Sequence, residues 1–296
     1  MKKSIPLSVK VAEPSLAPKI SLLLNSRRTW ILGVLNATPD SFYAASRAAG
    51  LEAALHRAEE MIDEGADGLD IGGESTRPGA EAVTESEELK RVLPIIDAVH
   101  LRWPEVLLSI DTQKADVARQ ALAHGAALIN DISALRSDPA MAQVAAESGC
   151  PVVLVHCQGT PQTMQARPHY ENVVAEIKRF FEERLAFATR HHISEDRVIL
   201  DPGIGFGKTL EHNLTILRRL SEFLTLGRPL LVGVSRKSFI GRILAEDEGV
   251  VPPEERLEGS LAAALWAVQE GARGLRVHDV GSTQQTLRVW NGIQDA

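Results

Sequence analysis

A chain of 296 residues with 44% apolar composition can bury a large core, as two domains or as one barrel-sized domain. Acidic residues outnumber basic ones, 39 to 32, for a net charge of −7, and no long basic block occurs, which argues against nucleic acid as the main partner. A small anionic ligand stays open, because a local cationic pocket can sit inside an acidic protein.

The chain begins MKKSIPLSVKVAEPSLAPK, where Lys10, Glu13 and Lys19 interrupt any apolar stretch that would make a secretory leader. Residues 1–28 read as an arm appended to one domain over 29–296, with KISLLL and RRTWILGVL as candidate hairpin partners below it. No apolar run approaches about 18 residues, so no membrane-spanning helix is expected. Short β-rich runs then recur at 30–36, 68–72, 106–110, 127–130, 151–156, 197–201, 229–233 and 273–277. Amphipathic helical patterns lie between them, as at 51–64, 114–124 and 171–190, and Gly65, Gly125, Gly149 and Gly271 follow helices as left-handed C-terminal caps would.

Strand and helix in regular alternation demand a parallel sheet with right-handed crossovers. Eight such units in about 270 residues match a (β/α)8 TIM barrel. A doubly wound sheet is the alternative, but no GxGxxG follows the first strand. Cys150 and Cys157 form neither a CxxC nor a framework of bridges, and read as buried, reduced thiols of a cytoplasmic protein.

A barrel concentrates function where its strands end. Those positions carry Asn36, then Gly72 to Arg77, Asp111, Asn130 with Asp131, His156, Asp201, Ser235 to Lys237, and Arg276, His278 and Asp279. Polarity phased so regularly with strand ends marks an active site. Arg77, Lys237, Arg276 and His278 would converge on one mouth and suit a phosphate or pyrophosphate, unless each Arg pairs with a nearby carboxylate. Asp111, Asn130 and Asp201 lie deeper and could bind the amide- or guanidine-like edge of a heterocycle, with Lys237 offsetting their desolvation and keeping a carboxylate ionised. An internal polar network of the barrel is the plainer alternative.

DPGIGFGKT (201–209) is not a P-loop, because Pro202 stands where the first glycine is required. Its glycines let the backbone turn sharply and bring Phe206 over a planar ligand. His191 and His192 read as solvated surface, and His156–Cys157 lacks a partner at metal-ligand spacing.

Eight stretches, GVLNATPDSF (33–42), DIGGESTRPGA (70–80), SIDTQKADVARQAL (109–122), LIND (128–131), HCQGTPQTMQ (156–165), DPGIGFGK (201–208), GVSRKSFIG (233–241) and RVHDV (276–280), together resemble the dihydropteroate synthase family. The resemblance covers roughly residues 29–290 and meets every strand end in order. It implies a TIM-barrel transferase that joins 6-hydroxymethyl-7,8-dihydropterin diphosphate to p-aminobenzoate. Pyrophosphate leaves first in an SN1-like order, and the products serve folate biosynthesis. It implies Mg²⁺ as cofactor, a homodimer, and small-molecule partners rather than nucleic acid or membrane.

Carried over by position, Asp111, Asn130, Asp201 and Lys237 resemble the pterin-binding set, with Arg276 and His278 completing the catalytic group. Asn36, Thr76, Arg77, Arg276 and His278 resemble the diphosphate site, Asn36 being the metal ligand. Phe42, Thr76, Pro78, Phe206, Lys237 and Ser238 resemble the walls of the p-aminobenzoate site. The first loop departs from the family's TPDSF-S-D-G-G. Phe42 is followed by Tyr43, Ala44, Ala45, Ser46 and Arg47, so the family's aspartate, thought to meet Arg77, aligns with Ala44. Two alternatives follow: a paralogue that binds pterin without synthase activity, or a pterin-binding methyltransferase domain. The intact SRKS and RVHDV stretches speak against the second, since a methyl carrier has no diphosphate to hold.

Overall fold

Eight short parallel strands, each followed by a helix, make up the chain from residue 30 onward. The structure, a computed structural model, describes residues 20, 23–25, 28–37, 47–75, 79–160, 162–247 and 249–296. In order they form β1 (Trp30–Asn36), α1 (Arg47–Asp63), β2 (Gly68–Gly72), α2 (Glu85–Arg102), β3 (Leu107–Asp111), α3 (Ala115–Ala123), β4 (Leu128–Asp131) and α4 (Met141–Ser148). The second half adds β5 (Val152–Val155), α5 (Val173–Arg190), β6 (Val198–Asp201), α6 (Leu210–Arg218), β7 (Leu231–Val232), α7 (Ser238–Leu244), α8 (Leu257–Gln269), β8 (Gly274–Val277) and α9 (Val280–Gln294).

Ladders join β1 to both β2 and β8 and run in sequence to β6 on one side and β7 on the other. A single parallel bridge, Leu200 with Leu230, closes the ring between β6 and β7. This is the (β/α)8 barrel that the alternation required. Each strand falls within a residue or two of its expected place. Among the described residues no helix is long and apolar enough to cross a membrane.

Gly65, Gly125, Gly149 and Gly271 take φ values of +96°, +117°, +64° and +101°. Only a residue without Cβ enters that region at little cost, so each can stop a helix and turn the chain into the next strand.

Two apolar clusters divide the core. The larger fills the space between sheet and helices, with Leu35, Ile71, Ile110, Ile129 and Leu200 facing outward from the strands. The smaller holds Trp30, Leu32, Leu107, Leu128, Val153, Ile199 and Leu231 on the opposite face, the barrel interior. Gly274 faces inward beside Trp30, and a Cβ there would lie 2.2 Å from the indole ring, so β8 yields space to β1.

Ile20 and Leu23 belong to the interior cluster and are buried. Residues 20 and 23–25 are helical, and β1 finds its hydrogen-bonding neighbours in β2 and β8. The expected hairpin between KISLLL and RRTWILGVL is therefore replaced, in the described residues, by a helical segment that caps the lower end of the barrel. The physical reason is saturation: β1 already has a strand on each side, so it has no free edge for a third.

Candidate active site at the strand ends

Strand register sets the polar side chains at defined heights. Asn36 pairs with Gly72, Gly72 with Asp111, and Asp111 with Asn130. Register partners in a sheet share a face, so Asn36, Asp111 and Asn130 stand at one level inside the rim. One interior step lower, Val34, Asp70, Ser109 and Leu128 form a mixed row. Below that lie Leu32, Gly68 and Leu107, and the mate of Leu32 on β8 is Arg276.

Arg276 spans these levels. Its Nε donates to Asp70 Oδ2 at 2.6 Å and its Nη2 to Asp111 Oδ2 at 2.7 Å. Asn130 Nδ2 donates to the same Asp70 oxygen at 2.9 Å. Burial opposes the guanidinium charge, but Asp70 and Asp111 outweigh it and hold the Arg276 pKa above its ordinary range. Burial pushes Asp111 up to about 7, with Arg276 opposing. Arg276 thus lies with the pterin-type residues as much as with a diphosphate clamp, and pairing with carboxylates, the plainer expectation for any arginine here, is realised twice over.

A second group gathers at β6 and β7. Asp201 Oδ1 accepts from Gly203 N at 2.7 Å. Lys237 Nζ donates to the Ile204 carbonyl and sits 4.5 Å from the centre of the Phe206 ring. Burial lowers Lys237 to about 8, against the pull of Asp201. Burial also raises Asp201 from its ordinary value despite Lys237. The expectation that Lys237 keeps a carboxylate ionised holds in sign only: its charge opposes the shift, and desolvation is larger.

The 201–209 loop is built as its glycines require. Gly203, Gly205 and Gly207 have φ of +69°, +84° and +64°, and a Cβ on Gly203 would fall 1.9 Å from the His156 carbonyl oxygen. Lys208 turns inward, its Nζ donating to His156 Nδ1 at 3.0 Å, the His156 carbonyl at 3.2 Å and the Phe206 carbonyl at 3.0 Å. Burial brings Lys208 down to about 7 and His156 well below its usual value. Thr209 caps α6 reciprocally with His212. Lysine and threonine therefore have structural partners here, unlike those of a P-loop. His191 and His192 are exposed. Cys150 and Cys157 are buried and unbridged.

His278 follows β8, its backbone N–H donating to Ser235 Oγ at 3.2 Å and its Nδ1 lying 3.0 Å from that hydroxyl. Arg57 on α1 donates to the His278 carbonyl at 2.7 Å. Beside it Arg236 grips Asp279 with two bonds, 2.9 and 2.5 Å. Arg236 holds φ +57°, costly for a residue with a side chain, and Ser260 and Arg256 bind its N–H and carbonyl at 2.9 and 2.6 Å.

Asn36 is partly buried at the rim and Ser238, first residue of α7, is exposed. Phe42, Thr76, Arg77 and Pro78 lie outside the described residues, as do Tyr43 and Ala44. Asp70 and Arg57 were not among the expected site residues, and Ser235 was expected only as a strand-end position, without its bond to His278. Asp70 had a signal, the lone charge inside the apolar run GLDIG. Arg57 had none, since its contact is 221 residues distant in sequence.

With Asn130 Nδ2 committed to Asp70, the amide turns its oxygen away from that bond, and no described side chain meets it. Asp111 and Asp201 each keep an oxygen beyond those already bonded. The floor therefore offers acceptors to a ligand rich in N–H groups, walled by Phe206 and Lys237 and flanked by His278.

Comparison with known proteins agrees. A model of the family described as "Pterin binding enzyme" matches residues 32–278. The chain belongs to that family. It is 48% identical over 259 residues to the dihydropteroate synthase of Escherichia coli K12, covering 88% of this chain and 89% of that one. A Xanthomonas albilineans dihydropteroate synthase solved with 4-aminobenzoic acid superimposes with a TM-score of 0.84 at 44% identity, over 91% of this chain and 94% of the other. The enzyme of the same organism in complex with 7,8-dihydropteroate gives 0.81 at 41% identity, over 91% and 95%.

Proposed function

We infer that this chain is a transferase that joins 6-hydroxymethyl-7,8-dihydropterin diphosphate to p-aminobenzoate, releasing pyrophosphate and forming 7,8-dihydropteroate. The observation that carries this is the acceptor floor of Asp111, Asn130 and Asp201 beside Lys237 and Phe206. A guanidine-like pterin edge offers the donors that such a floor needs. The neighbour bound to 7,8-dihydropteroate supports the same reading.

Breaking the methylene–oxygen bond leaves positive charge on the pterin and negative charge on the departing diphosphate. The buried carboxylates favour the first, and Arg276 and His278 from the end of β8, with Arg77 as the family resemblance implies, would favour the second. The aniline nitrogen is neutral and nucleophilic at neutral pH, so no strong base is needed. The order is then SN1-like: pyrophosphate leaves, and the amine adds. Phe206 and Lys237 wall the place where it adds, and shielding from water preserves the cation until then.

The donor set suits Mg²⁺ of the kind that brings most of its ligands with it. The described residues hold no cluster of three His, Cys, Asp or Glu side chains, and Asn36 contributes one neutral oxygen donor at the rim. Mg²⁺ characteristically keeps waters and substrate phosphates and takes one or two protein oxygens. Bound there with the diphosphate, it would supply charge neutralisation to the leaving group. A homodimer is supported by apolar side chains left exposed along α6 to α8, Leu214, Leu224, Ile243, Leu244, Val250 and Trp266. The buried thiols support a cytoplasmic setting. No observation favours the paralogue or the methyltransferase alternative.

Pyrophosphate release with both substrates, run with and without Mg²⁺, tests the reading. Pyrophosphate release accompanied by dihydropteroate when p-aminobenzoate is present is expected. Binding of the pterin diphosphate without turnover under either condition would overturn it.

A further inference from the structure

Asp70 is buried at 0% exposure on β2, one interior step below the ligand-facing rim, too deep to serve as a surface ligand. Its Oδ2 takes two bonds, from Arg276 Nε and Asn130 Nδ2, on strands β8 and β4. Its Oδ1 has no partner among the described residues, and neither has Asn130 Oδ1. A carboxylate can only accept, so whichever atom of Asn130 faces it must be the donating nitrogen. The amide oxygen is thereby left for the ligand. Arg276 is fixed in the same way: with Nε on Asp70 and Nη2 on Asp111, its guanidinium plane is set from below and from the side.

We propose that Asp70 is a positioning residue that sets the hydrogen-bonding polarity of the pocket, holding Asn130 as an acceptor and so selecting a ring with an amino group over one with a carbonyl at the same place. The proposal rests on the pterin reading above. An asparagine at position 70 would not break that preference, because Arg276 can only donate and would hold the amide oxygen where both bonds meet. Alanine there removes the shared acceptor, Asn130 can then turn over, and the floor can receive an acceptor as readily as a donor.

Asp70→Ala tests this, with 6-hydroxymethylpterin and 6-hydroxymethyllumazine as probes. The second carries a carbonyl oxygen in place of the 2-amino group. Calorimetry on the wild type should show the pterin bound tighter on the order of 10²-fold or more, since a floor built for donors rejects an acceptor. In Asp70→Ala that ratio should fall below about tenfold. A wild type that does not discriminate would sink the pterin reading itself. A variant that keeps the wild-type ratio, including one that binds both probes equally less well, would leave Asp70 a merely structural residue and overturn the proposal.

A second measurement needs only the folded wild type. The side-chain amide of Asn130, assigned by its loss in Asn130→Ser, should show one proton protected from exchange before any ligand is added. Two fast-exchanging protons would overturn that orientation of the amide.

Discussion

At the lower end of the barrel interior Trp30, Leu107 and Leu128 pack with Ile20 and Leu23, while at the upper end of the same strands Asp70, Asp111, Asn130 and Asp201 are gathered with Arg276 and Lys237. The two ends share strands, register and helical surroundings. They differ in what fills the space: the lower end excludes water with hydrocarbon, and the upper end buries charges that only partly neutralise one another. Burial without full pairing is costly for stability and useful for binding, because a ligand can supply the missing partners. Stability should therefore reside below and chemistry above, on one set of strands.

The largest effect expected is at Lys237, which touches the Ile204 carbonyl and the Phe206 ring between the two proposed subsites. Lys237→Ala should lower kcat/KM on the order of 10³-fold with little change in melting temperature. Near-normal turnover would break the assignment of the upper end.

The pH profile sharpens the same contrast. Asp111, raised to about 7, must lose its proton to offer a full acceptor, and Lys237, lowered to about 8, must keep one to remain cationic. Activity should thus rise toward pH 7 and fall above pH 8, each limb approaching about tenfold per pH unit. Arg276 holds Asp111 down, so Arg276→Met should move the acid limb upward in pH as well as weaken diphosphate binding. An unmoved limb would detach Asp111 from the profile.

A paired test separates the ends directly. Leu107→Ala at the bottom should cost about 2–5 kcal/mol of unfolding free energy while both KM values hold. Asp111→Asn at the top should do the reverse, keeping or raising the melting temperature while activity collapses. Equal effects on stability would erase the division.

The smallest effect is expected at position 44. Ala44→Asp supplies the aspartate that the family resemblance places in the first loop. A pair with Arg77 of ordinary ion-pair strength would change the p-aminobenzoate KM by up to about fivefold. No change would mean that this loop closes without the pair.

Much of this was legible in the chain itself, for identifiable reasons. Period fixes the strands, and strand ends fix the rim, so Asp111, Asn130, Asp201, Lys237 and Arg276 could be found one by one. What period cannot supply is who bonds whom. Arg276 was expected at the mouth because its Cα lies on the last strand, yet its length and the stagger between strands carry it to Asp70 and Asp111. Asp70 passed as part of a motif because a single charge in a five-residue strand leaves its face undecided until register is known. The lower cap failed as a hairpin since a run such as SLLL suits helix or strand alike, and only the closed neighbours of β1 decide between them.

The closure of the ring at β6 and β7 has a mechanical consequence. Every other joint is a ladder of at least two paired residues, while this one rests on Leu200 against Leu230, with the Lys237 ammonium reaching across to the Ile204 carbonyl above it. A ligand that bonds Asp201 on one side and Lys237 on the other would act as an extra rung at the weakest seam. Binding energy spent there would stiffen the whole hoop, and the barrel would be tightest at the moment it holds its most reactive cargo.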